Sequence, residues 1–117
     1  KSIHYLSLTS NKYYPKAQYL LGLLYFEGKY VEQNISKAIE YFTNASYYKE
    51  EPDPFFYLSI IYLGKKYGFQ DIDKSIKYLK IAANDFNDAT AQCFLACIYY
   101  DGYYIKQDIK EALKYVK

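Results

Sequence analysis

The segment AQCFLACIYYDG, which runs from Ala91 to Gly102, decides the fold because the chain contains two earlier versions of it. These are AQYLLGLLYFEG from Ala17 and PFFYLSIIYLGK from Pro54, so each copy follows the previous one by 37 residues. A second block keeps the same step, as KAIEYF from Lys37, KSIKYL from Lys74 and EALKYV from Glu111. Self-similarity at one period of this length indicates an array of supersecondary repeats.

The spacing of apolar residues indicates that both blocks are helices. In the first block, which we call helix A, apolar residues occupy two faces, so this helix is covered on both sides or lines a groove. The second block, helix B, is amphipathic: Ala38, Phe42 and Ala45 lie on the inner side, while Lys37 and Glu40 face water. Small residues recur where the two helices would cross, which lets their axes approach closely. These are Gly22, Ser59 and Ala96 in helix A and Ala38, Ser75 and Ala112 in helix B.

The boundaries of the helices carry matching signals. Short acceptor side chains precede each helix B and predict N-caps, and in the last repeat Asp108 with Glu111 fits a capping box. The N-cap residues are Asn34, Asp71 and Asp108. A glycine in the left-handed conformation is expected at the end of each helix A, namely Gly28, Gly64 and Gly102. Because Gly64 comes one position early, we expect the loop of the middle repeat to differ.

The repeats predict an all-α fold, an α/α superhelical solenoid of antiparallel helix pairs with a period of 36–37 residues. Residues 1–117 then form one array. Residues 1–14 are the second helix of a truncated repeat, 15–51 and 52–88 are whole repeats, and 89–117 is a repeat truncated on its C-terminal side. The absence of methionine and the opening on a helix-B block indicate a fragment of a longer protein.

Composition excludes several classes of function. Net charge is +2 and the lysines are scattered, so no nucleic-acid partner is expected. No apolar run is long enough to span a membrane. The single histidine, His4, has no catalytic partners, and the glycines form no phosphate-binding loop, so we predict neither an enzyme nor a cofactor. Cys93 and Cys97 lack zinc-site spacing and are interpreted as small apolar residues in a reducing compartment, which predicts no metal site.

The pattern A-x-Y-x-L-G-x-x-Y-x-x-G, followed by a loop and D/N-x-x-K-A-x-x-[YF], resembles the Sel-1-like repeat, a branch of the tetratricopeptide-like helical repeats. The resemblance covers essentially the whole chain, and the middle repeat departs most, with Pro54, Ser59 and Gly68 at pattern positions. It implies a non-catalytic adaptor or scaffold that binds a protein or peptide partner, as in signalling, quality control at the endoplasmic reticulum or host–microbe contact. Fold alone does not choose among these roles.

Helix A lines the concave side in solenoids of helix pairs, which predicts where a partner binds. An apolar and aromatic channel suits an apolar peptide or helix. Its candidate residues are Tyr19, Leu23, Phe26, Phe56, Ile60, Leu63, Cys93, Cys97 and Tyr100. The same stripe is also compatible with burial between neighbouring repeats, and the sequence leaves both interpretations open.

Loop aromatics are a second candidate surface, since tyrosine offers contact area with a polar tip. The alternative is that they pack over helix ends. They are Tyr30, Tyr67, Phe69, Tyr103 and Tyr104 within repeats and Tyr13, Tyr14, Tyr47 and Tyr48 between repeats.

Two other roles remain open at this point. The repeats could serve as a structural spacer of a larger multidomain protein or assembly, with no ligand of their own. End-to-end self-association is also plausible, through Ile3 and Leu6 at one end and Leu113 and Val116 at the other.

Overall fold

Helices account for all the regular structure in residues 15–116, the part of the chain that the computed structural model describes. Helix A of the three repeats corresponds to α1 (Pro15–Glu27), α3 (Asp53–Leu63) and α5 (Ala89–Asp101), and helix B to α2 (Ile35–Ser46), α4 (Ile72–Lys80) and α6 (Ile109–Lys114). A π-helical turn, Ile81–Asp85, continues α4. The helix expected in residues 1–14 lies outside the described residues.

The chain divides into two compact units at the start of α3. The first ends at Pro54 and contains the pair α1 and α2; the second begins at Phe55 and contains the rest. In each unit, the helix pairs bury their apolar faces against one another.

The predicted N-caps of helix B are confirmed. Each cap oxygen accepts the backbone N–H three residues ahead, at 3.0 Å for Asn34, 3.2 Å for Asp71 and 3.1 Å for Asp108. Asp88 caps α5 in the same way, at 2.9 Å from the Ala91 nitrogen. Each bond satisfies a donor that has no partner within its helix.

The capping box at Asp108 is only half formed. Glu111 donates its backbone N–H to Asp108, but the Glu111 carboxylate pairs with Lys114 Nζ at 2.8 Å. The Asp108 N–H donates instead to the Tyr99 carbonyl at 2.9 Å. A backbone acceptor therefore replaces the expected side-chain acceptor.

Two of the three expected helix-ending glycines are confirmed. Gly28 and Gly102 have φ of 66° and 69°, the left-handed conformation that glycine adopts without steric cost. Gly64 directly follows Leu63, the last residue of α3, as expected, but the left-handed conformation expected for it was wrong, because Gly68 adopts the positive φ in this loop, at 82°. The middle loop differs in shape, as the early glycine predicted.

The small residues lie in the core, as expected. In the first unit Phe42 is fully buried, and a Cβ on Gly22 would lie 2.7 Å from Phe42 Cδ1. The phenyl ring therefore fills the space that the missing side chain leaves. In the second unit Ser75 Oγ donates to the Ser59 carbonyl at 2.7 Å, and both serines are buried.

Candidate interaction surface

In the first unit the predicted surface residues lie beside the core without being enclosed by it. Tyr19, Leu23 and Phe26 on α1 are each half-buried. The rings of Tyr19 and Phe26 lie 6.0 and 6.3 Å from the ring of Phe42. Tyr19 also donates its hydroxyl to Asp53 Oδ2 at 3.4 Å. These aromatic side chains support the core and keep an accessible edge.

The corresponding residues of α3 are also half-buried. Phe56 and Leu63 pack against the buried cluster of the second unit, and Ile60 lies one turn from each. The ring of Phe56 lies 5.2 Å from the ring of Phe94 on α5. Packing against the next helix A therefore covers part of this stripe.

The three residues on α5 are exposed. Cys93, Cys97 and Tyr100, which we call the α5 stripe, follow one another at the spacing of a single helix face, and 61% of Tyr100 is accessible. Beside them, a pocket of about 330 Å³ lies between α5 and α6. It is lined by Ala96, Cys97, Tyr100, Ile109, Ala112, Leu113 and Val116.

The helix-A residues thus differ in exposure from repeat to repeat. None of the nine belongs to the buried core, those on α1 and α3 share their surface with it, and those on α5 face solvent. Their role in recognition stays a prediction.

Of the ends considered for self-association, Leu113 and Val116 are exposed, while Ile3 and Leu6 lie outside the described residues.

A stack of two tyrosines, which the sequence analysis did not predict, joins helix A to helix B in each of the three repeats within residues 15–116. The rings are nearly parallel, with centroids 5.9, 6.1 and 6.5 Å apart. The pairs are Tyr25 with Tyr41, Tyr62 with Tyr78, and Tyr99 with Tyr115. The sequence signal for these stacks is a tyrosine that recurs at one position of each helix-A block and at one position of each helix-B block. These six side chains therefore have a structural role.

Lysine ammonium groups cover the same stacks. Lys37 lies 5.2 Å from the Tyr25 ring centroid and Lys74 lies 5.2 Å from that of Tyr62, which places a cation over the aromatic face. Glu111 stands at this position in the last repeat, and Lys80 lies 5.8 Å from the Tyr99 ring instead. A hydrogen bond with Tyr99 raises the pKa of Lys80.

A repeated glutamine closes the loop between helix A and helix B. Its Nε2 donates to the last carbonyls of helix A: Gln33 to Phe26 at 2.7 Å, Gln70 to Leu63 at 3.1 Å and Gln107 to Tyr100 at 2.7 Å. The sequence showed the repeated glutamine but not its acceptor, because the partner lies seven residues away across the loop. This bond satisfies a carbonyl that the helix leaves without a partner.

The loop aromatics divide into two groups. Tyr30, Tyr47 and Tyr103 are largely exposed, and 82% of Tyr103 is accessible. In contrast, Tyr104 packs against the core of the second unit, as the helix-end interpretation predicts. Of the remaining loop residues, Tyr67 is half-buried, whereas Tyr48 and Phe69 are exposed. Tyr13 and Tyr14 lie outside the described residues.

The polar groups of residues 15–116 are dispersed. No three His, Cys, Asp or Glu side chains in this range come together as a metal-binding group. None of the helices in the same range is both long and apolar enough to cross a membrane. The pKa of the Cys97 thiol is raised, mainly by partial desolvation and to a smaller extent by the neighbouring Cys93.

Capped helix pairs with small crossing residues, joined by a loop that a glutamine closes in each repeat, define a class, the α/α repeat solenoids. Within this class, the Sel1 repeat family model matches residues 15–47, 56–85 and 89–117. The chain belongs to the Sel1 repeat family, whose members are generally non-catalytic and act as protein-interaction scaffolds.

Two solved structures share the fold. One is a protective antigen present in uropathogenic Escherichia coli strains that displays an SLR fold, with a TM-score of 0.85 and 25% identity. The other is a Sel1 repeat protein from Oxalobacter formigenes, with a TM-score of 0.79 and 24% identity. Each alignment covers 97% of this chain, but only 24% and 45% of those proteins. These matches confirm the predicted solenoid fold. No curated protein matches the chain.

Proposed function

We propose that the chain is a non-catalytic scaffold whose accessible helix-A side chains bind a peptide or protein partner. The observation that best supports this is the α5 stripe, where Cys93, Cys97 and Tyr100 are exposed along one helix face. Contiguous apolar surface on a soluble protein is costly in water and marks interaction sites. A large aromatic side chain such as Tyr100 is the type that dominates binding energy.

The partner chemistry follows from the surface. The pocket beside the stripe contributes Ile109, Leu113 and Val116, which favour an apolar side chain over a charged one. An amphipathic helix or an extended peptide with apolar anchors fits such a surface. The half-buried residues of α1 and α3 present accessible edges of the same character.

The exposed loop tyrosines are a second candidate contact. Lys29 Nζ lies 5.6 Å from the Tyr30 ring centroid, and the Tyr103 and Tyr104 rings meet edge to face at 4.8 Å. Such contacts hold the rings in place before a partner arrives, which reduces the entropy lost on binding.

The test begins with peptides selected from a displayed library on the immobilised chain. The Kd of a selected peptide is then measured for the wild type, Tyr100→Ala, Tyr103→Ala and Tyr47→Ala. Since hot-spot residues contribute about 2 kcal/mol or more, Tyr100→Ala should weaken binding roughly 30-fold. Tyr103→Ala tests the loop contact separately. The control, Tyr47→Ala, removes an exposed tyrosine between repeats and should change Kd by less than about twofold.

Four outcomes would count against the proposal. Equal weakening by all variants would mean that the stripe is not the contact, and weakening by Tyr103→Ala alone would move recognition to the loops. Unfolding of Tyr100→Ala, seen by circular dichroism, would assign the stripe to the core. If no peptide is enriched, the scaffold proposal fails and the structural spacer takes its place.

A further inference from the structure

Cys93 and Cys97 form a pair of thiols whose arrangement goes beyond the scaffold role. They lie one turn apart on α5, both are exposed, and neither forms a disulfide. Two sulfur ligands therefore point to the same region of solvent from one rigid helix.

The helix holds the two sulfurs in a geometry that disfavours their direct bonding. Side chains four residues apart on a helix have Cβ atoms about 5–6 Å apart, whereas a disulfide requires about 3.5–4.5 Å. An ion between the sulfurs removes this conflict. With metal–sulfur bonds of about 2.3 Å, two bonds in line span about 4.6 Å. Pairs of ligands at this spacing on one helix face are an established way of holding a metal.

The number of ligands selects the kind of metal. Structural zinc requires four ligands, and no third His, Cys, Asp or Glu joins this pair within residues 15–116. Asp101, one turn beyond Cys97, offers only a hard oxygen ligand. Soft thiolates favour monovalent copper, which accepts two sulfurs in a linear arrangement. We propose that Cys93 and Cys97 bind one Cu⁺ ion as a two-sulfur clamp.

The binding reaction is a proton exchange without electron transfer. Cu⁺ forms two bonds to sulfur, each thiol releases its proton to solvent, and copper stays monovalent. The bound unit therefore carries one negative charge.

The experiment uses the whole chain, reduced and kept without oxygen, titrated with Cu⁺ in the presence of a chromogenic Cu⁺ chelator. Native mass spectrometry gives the stoichiometry. We expect one Cu⁺ per monomer, and a loss of affinity of at least about 100-fold for Cys93→Ser and for Cys97→Ser, since each variant removes one of two linked ligands. Both cysteines are exposed, so circular dichroism should show both variants folded.

A spacing control keeps two thiols but separates them. In the double variant Thr90→Cys with Cys93→Ser, the cysteines stand seven residues apart, about 10 Å along the helix axis. This variant should bind as weakly as the single variants. Wild-type affinity in the control, copper held between two monomers, or wild-type copper binding no tighter than that of the single variants would each overturn the clamp.

Discussion

The Phe42 ring occupies the space that a side chain at Gly22 would need, and Gly22→Ala tests this packing. The new Cβ would lie 2.7 Å from Cδ1 and 2.8 Å from Cε1 of a ring with no solvent exposure. Because the ring is fully buried, moving it would disturb the core side chains around it, and overpacking of a core costs about 1–3 kcal/mol. Alanine is also the better helix former, by about 1 kcal/mol. We expect a net loss of about 1 kcal/mol in the free energy of unfolding.

Chemical denaturation followed by circular dichroism measures this loss, and the melting temperature should fall by about 4–8 °C. The control is the same change in a Phe42→Leu background, which reproduces the second repeat, where Ser59 and Leu79 occupy the equivalent positions and are both buried. There Gly22→Ala should be neutral or stabilising. If Gly22→Ala stabilises the wild-type chain by about 1 kcal/mol, as in an unobstructed helix, the packing argument is refuted.

Two other changes probe the loop and the tyrosine stacks. Gln107→Ala removes the 2.7 Å bond to the Tyr100 carbonyl and should cost about 1 kcal/mol by urea denaturation, whereas Lys106→Ala at the exposed neighbour should stay within about 0.5 kcal/mol. Burial raises the pKa of Tyr62 and Tyr78 above 10.0, so their stabilising contribution is complete below pH 10 and is lost as pH rises through the raised pKa values. Tyr78→Phe should reduce this loss of stability at alkaline pH. An unchanged dependence of the free energy of unfolding on pH would contradict the prediction.

The repeat blocks and N-caps could be predicted because their causes are local. The carboxylate of Asp71 or Asp108 accepts a hydrogen bond from the backbone N–H three residues ahead, so both partners can be identified from the sequence. The conformation of the glycine that follows α3 could not be predicted in the same way. Whether Gly64 or Gly68 adopts positive φ depends on the path of the whole loop, and the chain places the turn at Gly68.

The π-helical turn after α4 had no sequence signal either. Ala82 and Ala83 within it are buried, and the Ala83 carbonyl accepts a bond from Gln92 Nε2 at 3.1 Å. Contacts with α5 therefore accompany the change in helical pitch. Contacts of this kind depend on tertiary packing, which periodicity does not encode.

The candidate surface shows the same division between local and tertiary causes. Helical spacing placed the nine residues on helix A, but their exposure depends on what covers each helix. Phe56 is half-buried because Phe94 of the following helix A packs against it, whereas Cys93, at the equivalent position, lies in the last repeat of this sequence and is exposed. The α5 stripe could therefore be located in the sequence, but its accessibility could not be predicted.

The glutamine bond that closes each A–B loop has a consequence for how the repeats vary. Gln107 holds the end of helix A, and the Asp108 N–H donates to the Tyr99 carbonyl, so two anchors aimed at the backbone hold the ends of the loop together. Neither of these two bonds involves the side chain of Tyr103, which lies within the loop. In the middle repeat Gln70 and Asp71 form the same two bonds although that loop differs in shape. The loops can therefore vary in residues and in backbone path, so repeats of one array can present different residues to solvent while their helices stay in register.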